Sequence, residues 1–256
     1  YYRDQPTLLL RGYRPLDFMR YWGGDERGNQ VGHDFPICVP IATQTLHAVG
    51  AAFAMNHQKS DSVVIVTLGD GATSKGDFYE SLNFASIHQL PVIFVINNNG
   101  WAISVPLDKQ SATGKISSKG LGFDVTSKTL DGLCVETVYT NMAKAIATVK
   151  NCKKPMLLEF ITYRLCDHTT ADDSRRYKSA ETRDQEQTGD PLINLENRLL
   201  KDDILNQDMI ETMKKECSEI IQADAQKFQS ELKLDYLTYK KHLVESFDHH
   251  EIEVSS

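Results

Sequence analysis

Residues Ser62–Ile96 read SVVIVTLGDGATSKGDFYESLNFASIHQLPVIFVI, and this stretch decides the fold. Its two ends, Ser62–Leu68 and Val92–Ile96, are short apolar runs rich in β-branched residues and without clean alternation. Such runs are typical of strands buried on both faces of a parallel sheet. The segment from about Gly76 to His88 has apolar residues at helical spacing. Strand, helix and strand in this order predict a right-handed βαβ unit.

Further elements on both sides of this unit continue the alternation. We predict a helix over residues 44–57, capped by Thr43-Gln44, a helix over 135–150 and a strand over 155–163, with long loops at 20–32 and 106–122. Residues 179–256 are charged and helical in pattern. The fold class is therefore α/β, a parallel sheet flanked by helices with a helical C-terminal region. We expect a binding domain over 1–178 and the helical region over 179–256.

Composition excludes several classes of protein. The 256 residues include 28 Lys and Arg against 35 Asp and Glu, a net charge of -7 that argues against nucleic acid as the main partner. Apolar runs fall short of the roughly 18 residues that a membrane span needs. The five cysteines are scattered without a CxxC, which argues against disulfides or zinc and favours a reducing compartment.

Polar clusters follow both strands of the deciding stretch, at the carboxyl ends where open parallel sheets bind ligands. Gly69-Asp70-Gly71 follows the first strand, and Asn97–Gly100 (NNNG) follows the second. If the strands are neighbours, Asp70 and Asn99 converge, and their oxygens suit Mg²⁺ or Ca²⁺ completed by phosphate oxygens. The glycines would let the backbone approach a phosphate. Each cluster alone reads equally well as a plain turn.

The spacing of the two clusters carries more information than either cluster alone. Between Gly71 and Asn98 lie 26 residues, and a GDG followed at this distance by NN resembles the signature of thiamin-diphosphate enzymes. The whole segment Gly69–Ser104 is similar to the α subunit of the 2-oxoacid dehydrogenase first component (E1). So are YYRD at the start of the chain, PIATQTLHAVGAA (Pro40–Ala52) and YRLCDHTTADDSRRY (Tyr163–Tyr177).

This resemblance implies roles for individual residues. Asp70, the Asn99 side chain and the backbone carbonyl of Trp101 would bind Mg²⁺, and the cofactor diphosphate would complete its coordination. The remaining cofactor contacts would come from Tyr2 and Arg3, whose guanidinium can fork onto the diphosphate, from Val39 and Ile41 at the aminopyrimidine, and from Gly69, Gly71 and Ala72.

His168 is implied as the catalytic residue of a loop over the active site, where it would stabilise developing charge or relay a proton. Without the family context, a single His among Asp and Thr reads as a solvated loop residue. The hydroxyls of Thr169, Thr170 and Ser174 surround it. Phosphorylation there, as in some relatives, would add negative charge beside the diphosphate. The alternative, which we favour, is that they only cap the loop.

Some positions depart from the family pattern. Asn97 stands where some members have an Arg, and Trp101 stands where Tyr or Phe is usual. Some relatives bind a monovalent ion at the positions of Cys38, Pro40, Thr43 and Gln44. We do not expect that site here, because Cys is a poor ligand for such an ion. In the family, a glutamate that contacts the aminopyrimidine activates the cofactor, and this chain has no counterpart of it. Glu80 lies on the helix after the GDG turn, on the side of the diphosphate. We therefore expect that glutamate on an E1 β subunit, in an α₂β₂ heterotetramer. The chain, which begins without Met, is also expected to lack an N-terminal helical segment.

The resulting hypothesis is a thiamin-diphosphate-dependent and Mg²⁺-dependent E1 α subunit. It would decarboxylate a 2-oxoacid oxidatively and pass the acyl group to a lipoylated acyltransferase (E2), with no nucleic acid or membrane partner. The segment HTTADDSRRY (His168–Tyr177), part of the histidine loop Tyr163–Tyr177, resembles the pyruvate-type bacterial enzymes more than the branched-chain type. This resemblance favours pyruvate as the substrate, with a branched-chain 2-oxoacid or acetoin enzyme as the alternative. More remote alternatives are a Mg²⁺-dependent phosphohydrolase and a non-catalytic paralogue. The expected location is the cytoplasm of a bacterium or the mitochondrial matrix of a eukaryote.

Overall fold

The computed structural model describes residues 1–29 and 35–231. The chain divides into two compact units. The first comprises Tyr1 and residues 38–204, and the second comprises residues 2–37 together with residues from 205 onward. The domain boundary expected between residues 178 and 179 stays a prediction.

The first unit is built on four parallel strands in the spatial order β1-β2-β6-β5. A two-residue antiparallel ladder, β3 with β4, follows the end of β2. The strand bounds are β1 Val64–Gly69, β2 Val92–Asn98, β3 Trp101–Ala102, β4 Val105–Pro106, β5 Thr126–Asp131 and β6 Met156–Ile161.

Helices and short 3₁₀ turns connect the strands and complete both units. The α-helices are α1 Gln5–Leu10, α2 Pro15–Trp22, α3 Thr43–His57, α4 Gly76–Ile87, α5 Leu107–Gln110, α6 Val135–Cys152, α7 Ala180–Thr188, α8 Pro191–Lys201 and α9 Gln207–Glu231. The 3₁₀ turns are Glu26–Asn29, Asp70–Ser74, Ile116–Phe123 and Ser174–Arg176. Within the described ranges, no helix combines the length and apolar character that crossing a membrane requires.

The central strand β2 carries the core of the first unit. Its residues alternate between two apolar clusters, because successive side chains of a strand point to opposite faces. Phe94 and Ile96 join the cluster that also contains α3 and α4 side chains, while Ile93 and Val95 join the cluster of α6. Each of these four side chains is less than a tenth exposed, and burying one stabilises the fold by about 1.5–3 kcal/mol. The sheet is therefore covered on both faces.

The predicted α/β class and parallel sheet are confirmed, and the predicted strands and helices of the first unit agree with the structure within a few residues. The cap of α3 is different from the prediction. Ala42, with φ 66°, occupies the N-cap position, and no side chain caps the helix. Strand β5 and the short helices α1 and α2 have no counterpart among the predicted elements. Part of the loop predicted at 20–32 lies outside the described residues.

The second unit joins α2 to α9 through charged side chains. Asp224, 1% exposed, pairs with the Arg14 guanidinium and accepts the backbone N–H of Leu16 at 3.1 Å. Arg20 forks onto Glu231, with its Nη2 2.7 Å from one carboxylate oxygen and its Nε 2.8 Å from the other. Helices α7, α8 and α9 confirm the helical character predicted for the described part of the C-terminal region.

Candidate functional site

The carboxyl ends of β1 and β2 lie side by side. Gly69, the last residue of β1, is the register partner of Asn97 in β2. Asp70 and Asn99 follow these positions at the same edge of the sheet, and the backbone amide of Asn99 lies close enough to the Asp70 carboxylate to lower its pKa. The convergence expected from the sequence is therefore present in the fold.

Asp70 is a buried carboxylate whose hydrogen bonding is incomplete. The residue is 1% exposed, and its Oδ2 has no hydrogen-bond partner among the residues that the structure describes. Burial raises the pKa of Asp70, and the backbone amides of Asp70 and Asn99, the Gln110 side chain and the Arg164 charge oppose that rise only in part. A buried anion that lacks a donor is costly unless a cation compensates it. This oxygen is thus suited to a metal ion.

The oxygens around Asp70 fit a hard divalent cation. Asn99 Oδ1 accepts the backbone N–H of Trp101 at 3.0 Å, and the turn passes through Gly100 at φ 78°. This side-chain turn fixes the Asn99 amide beside the sheet edge, with lone-pair capacity left on its oxygen. Residues 1–29 and 35–231 hold no group of three or more His, Cys, Asp and Glu side chains placed so that they could hold a metal ion. The predicted ligand set needs none, because it uses one carboxylate, one amide and one backbone carbonyl.

The turn after β1 leaves no room for a side chain at Gly71. A Cβ on Gly71 would lie 2.8 Å from the Cβ of Ala102 in β3. Thr73 donates its hydroxyl to the Asp70 carbonyl at 2.7 Å, and Lys119 Nζ donates to the Thr73 carbonyl at 3.0 Å. The turn is therefore held rigidly, and at Gly71 only backbone faces the site, as close approach to a phosphate requires.

A second buried carboxylate, Glu159 in β6, supports the loop after β2. It is fully buried, accepts from Asn98 Nδ2 at 2.7 Å and from Thr129 Oγ1 at 2.8 Å, and also accepts the backbone N–H groups of Ile116 and Ser117. Asn98 Oδ1 in turn accepts the N–H of Gly100 at 2.9 Å. Sequence reasoning missed Glu159. The available signal was a charged residue inside the apolar run PMLLEFITY, since a buried charge needs partners.

The histidine loop is held by a chain of polar contacts. Arg164 Nη2 donates to the Tyr177 hydroxyl at 2.6 Å, and that hydroxyl donates to Asp172 Oδ2 at 2.5 Å. The same carboxylate oxygen accepts the backbone N–H of His168 at 2.8 Å. Burial and the hydrogen bond to Asp172 raise the pKa of Tyr177 to about 12, so the phenol stays protonated. His168 is thereby fixed through its backbone, and its side chain is partly exposed.

Trp101 connects the NNNG loop (Asn97–Gly100) to the histidine loop. Its ring lies 5.3 Å from the Tyr177 ring, and Lys178 Nζ stands 5.7 Å from its centroid. Lys178 and Glu186 form a buried ion pair at 2.5 Å, and the ammonium also donates to the Arg164 carbonyl. Charge pairing and aromatic contact therefore hold both ends of the histidine loop against the residue predicted to give the metal its backbone ligand.

Other predicted cofactor contacts lie in both units. Val39 and Ile41 are 43% and 42% exposed. Gly69 ends β1, and Ala72 is buried in the turn that follows. Tyr2 and Arg3 belong to the second unit, where the Arg3 guanidinium lies over the Tyr2 ring. The contacts predicted for these residues with a cofactor stay predictions.

Residues with less favoured roles can also be located. Glu80 is exposed on α4. Gln44, a member of the unfavoured monovalent-ion set, donates its side-chain amide to the Thr67 carbonyl at 3.0 Å. Thr169 and Thr170 are exposed, whereas the backbone N–H of Ser174 donates to Asp167. Gln110, which sequence reasoning did not select, lies against Asp70 and Gly71.

Comparison with known proteins gives a consistent family. The family described as the dehydrogenase E1 component matches residues 1–236. A 3-methyl-2-oxobutanoate dehydrogenase subunit alpha from Mycobacterium tuberculosis is 44% identical over 197 residues, covering 75% of this chain and 53% of that protein. From Bacillus subtilis, a 2-oxoisovalerate dehydrogenase subunit alpha is 34% identical over 234 residues, covering 86% of this chain and 71% of that protein.

A pyruvate dehydrogenase E1 component subunit alpha from Bacillus subtilis is also 34% identical, over 249 residues that cover 94% of this chain and 67% of that protein. The chain thus spans about half to two thirds of the length of these curated relatives. Two relatives with different substrates in their names match the chain equally well. Overall identity therefore does not separate a pyruvate enzyme from a branched-chain enzyme.

Proposed function

This chain belongs to the dehydrogenase E1 component family, and from that membership we propose that it is part of the α subunit of a 2-oxoacid dehydrogenase. The observation that carries the proposal is the buried, unpartnered Oδ2 of Asp70 beside Asn99, at the carboxyl edge of neighbouring strands. That arrangement suits a metal-bound diphosphate and has no evident structural role without one.

In the proposed reaction this chain anchors and orients thiamin diphosphate. Asp70, Asn99 and the carbonyl of Trp101 would hold Mg²⁺, which neutralises charge on the diphosphate, while Gly71 and Ala72 would offer backbone amides. The bound cofactor supplies the electron sink that allows CO₂ to leave the 2-oxoacid. Val39 and Ile41 would present an exposed apolar surface to its aminopyrimidine, and Tyr2 and Arg3 would contact its diphosphate.

His168 is the proposed catalytic residue, stabilising negative charge as it develops on the substrate carbonyl or holding the proton that neutralises it. Its backbone contact with Asp172 supports this role, because it orients the loop that carries His168. Neither Asp172 nor Tyr177 would need to touch the substrate.

The proposal needs two partner proteins. The glutamate that activates the cofactor would come from an E1 β subunit in an α₂β₂ heterotetramer, since Glu80 lies exposed on α4. The acyl group would pass to a lipoylated E2 component. Both partners rest on family membership and on relatives named as α subunits.

For the substrate, we place pyruvate first and a branched-chain 2-oxoacid second. The amino-acid sequence of the histidine loop favours pyruvate. The relatives named for branched-chain 2-oxoacids are the reason for the second candidate. Decarboxylation rates for pyruvate and 3-methyl-2-oxobutanoate, measured in competition on one preparation, would decide between them: the substrate with the larger kcat/KM is the physiological class.

The proposal is tested by calorimetric titration of the full-length protein with thiamin diphosphate and Mg²⁺, with and without the co-expressed β subunit. We expect Mg²⁺-dependent binding by the assembled protein. Binding without any dependence on Mg²⁺, or no binding by the assembly, would overturn the proposal. Phosphate release from a phosphoester by the chain alone would instead indicate a phosphohydrolase. Assembly with the β subunit in the absence of cofactor binding would indicate a non-catalytic paralogue.

A further inference from the structure

Gln110 presents a buried acceptor atom that has nothing to accept. It ends the short helix α5, and its Oε1 has no hydrogen-bond partner among the residues that the structure describes. The same is true of Asp70 Oδ2. Each such atom in a native fold calls for an explanation.

The two unpartnered oxygens belong to one place. Gln110 Oε1 lies 3.6 Å from the position that a Cβ on Gly71 would occupy. Gly71 and Asp70 are adjacent in the turn after β1. The acceptor of Gln110 is therefore directed at the same turn that carries the proposed metal ligand.

The orientation of the Gln110 amide is determined by its other end. Nε2 donates to the Val105 carbonyl at 2.9 Å. Exchanging the nitrogen and oxygen would set Oε1 against that carbonyl, acceptor to acceptor, which is unfavourable. The oxygen must then face away from Val105. Two buried acceptors, one of them anionic, are left without a protein donor in the same turn region, and a cation with its bound water is the group that satisfies both.

We propose that Gln110 is a further protein group of the metal site, with Oε1 accepting a hydrogen bond from a water bound to the ion held by Asp70. The inference rests on the proposed function, because it concerns the same ion. It adds a residue outside both the GDG turn and the NNNG loop, contributed by the helix that follows β4. The competing account is a buried water that satisfies Gln110 without any ion.

The test uses Mn²⁺ in place of Mg²⁺, with the full-length protein, its co-expressed β subunit and saturating thiamin diphosphate. The free Mn²⁺ signal in electron paramagnetic resonance gives the Kd directly, without turnover. Gln110→Met keeps the side-chain length but removes the acceptor. We expect its Kd for Mn²⁺ to rise about 10- to 100-fold, as is typical when an outer partner of a metal site is lost. A Kd equal to that of the wild type would overturn the inference and support the water.

Two further variants separate a metal role from a packing role. Gln187→Met makes the same change at an exposed glutamine of α7 and should leave the Kd unchanged. Gln110→Glu keeps an oxygen and adds a charge, so it should bind Mn²⁺ at least as tightly as the wild type. Weaker binding by this variant would also overturn the inference, and the variant serves as the test if Gln110→Met fails to fold.

Failure of this inference and failure of the proposed function give different results. If the wild type shows no Mn²⁺ binding that depends on thiamin diphosphate, the proposed function is wrong and the inference falls with it. If the wild type binds and Gln110→Met binds equally well, only the role of Gln110 is wrong. The melting temperature of metal-free Gln110→Met is measured separately, because this variant also loses the hydrogen bond from Nε2 to the Val105 carbonyl.

Discussion

Asp70 illustrates at the scale of one residue how a binding site differs from a packed core. Other buried polar groups of the first unit, such as Glu159 and Lys178, have their hydrogen bonds made. Asp70 is equally buried but leaves one oxygen without a donor. Strain and unsatisfied groups of this kind concentrate at functional sites, where they lower stability in exchange for a prepared site.

Asp70→Asn is expected to stabilise the metal-free protein and to weaken metal binding. The amide carries no charge, so the variant avoids burying an uncompensated anion, and we expect a gain of about 1–3 kcal/mol in the free energy of unfolding at pH 7. The same change removes the charged ligand. Denaturant unfolding without Mg²⁺, together with Mn²⁺ titration, measures both effects. Loss of stability in the metal-free variant would contradict the assignment.

The gain should depend on pH with a predictable sign. Burial raises the pKa of Asp70 above its ordinary value of 3.8, so the ionised carboxylate destabilises the folded state. The stability of the wild type relative to Asp70→Asn is then highest below about pH 4 and falls as pH rises through the folded pKa. Asp77→Asn, which changes a carboxylate on α4 that pairs with Lys75 near solvent, is the matched control and should show no such gain.

At the scale of elements, Glu159 joins three parts of the sheet region. From β6 it reaches Asn98 at the end of β2, Thr129 in β5 and the backbone of the 3₁₀ turn 116–123. One carboxylate thus links the NNNG loop to the edge strand β5. Because the negative charge is met by four donors, the pKa of Glu159 is lowered although burial acts to raise it.

Glu159→Gln is expected to lower the free energy of unfolding by about 3–5 kcal/mol, because the new NH₂ group faces donors that an anion had satisfied. Thr129→Val removes one of these donors and should cost about 1 kcal/mol. Chemical denaturation measures both variants. Equal stabilities for Glu159→Gln and the wild type would contradict the role of the carboxylate.

The pH dependence of Glu159 has the opposite sign from that of Asp70. A lowered folded pKa stabilises the protein above the unfolded value near 4.5, and this contribution is lost as pH falls through the folded pKa. The difference in stability between the wild type and Glu159→Gln should therefore shrink in acid.

The histidine loop should depend on the Tyr177 hydroxyl. Tyr177→Phe removes the group that links Arg164 to Asp172, and we expect local opening of the loop to become easier by about 1–2 kcal/mol, or roughly 5- to 30-fold in population. Trypsin cleavage after the exposed Arg175 and Arg176 measures that opening. Tyr139→Phe, an exposed tyrosine on α6, is the control. Cleavage of Tyr177→Phe at the rate of the wild type would contradict the proposed anchor.

The sequence was informative where a local pattern determined the structure. The apolar runs of β1, β2 and β6 predicted the parallel sheet, and the position of Asp70 and Asn99 after two strands predicted their meeting. Strand β5, which reads TSKTLD, was missed because it is an edge strand whose residues are half-buried or exposed. Gln110 was missed for another reason: its position beside Asp70 depends on the path of the chain through β3 and β4, which no local pattern reveals.

At the scale of the whole molecule, ligand binding should add to stability only in the assembled protein. A ligand at 100 times its Kd stabilises the folded state by about 2.7 kcal/mol. Thermal unfolding of the α and β subunits together should therefore shift upward by several degrees with thiamin diphosphate and Mg²⁺. The full-length α subunit alone should show a smaller shift or none. An equal shift for both would contradict a site shared between subunits.

The unpartnered oxygen of Asp70 also has a consequence for the living cell. On the proposed function, a chain without metal and cofactor carries a buried charge that its neighbours offset only in part, so it unfolds more often than the loaded chain. Quality-control proteases act on that unfolded fraction, and a difference of 1–2 kcal/mol is enough to alter steady-state abundance several-fold. When thiamin is scarce, the amount of this protein should decline along with its cofactor, without any change in transcription.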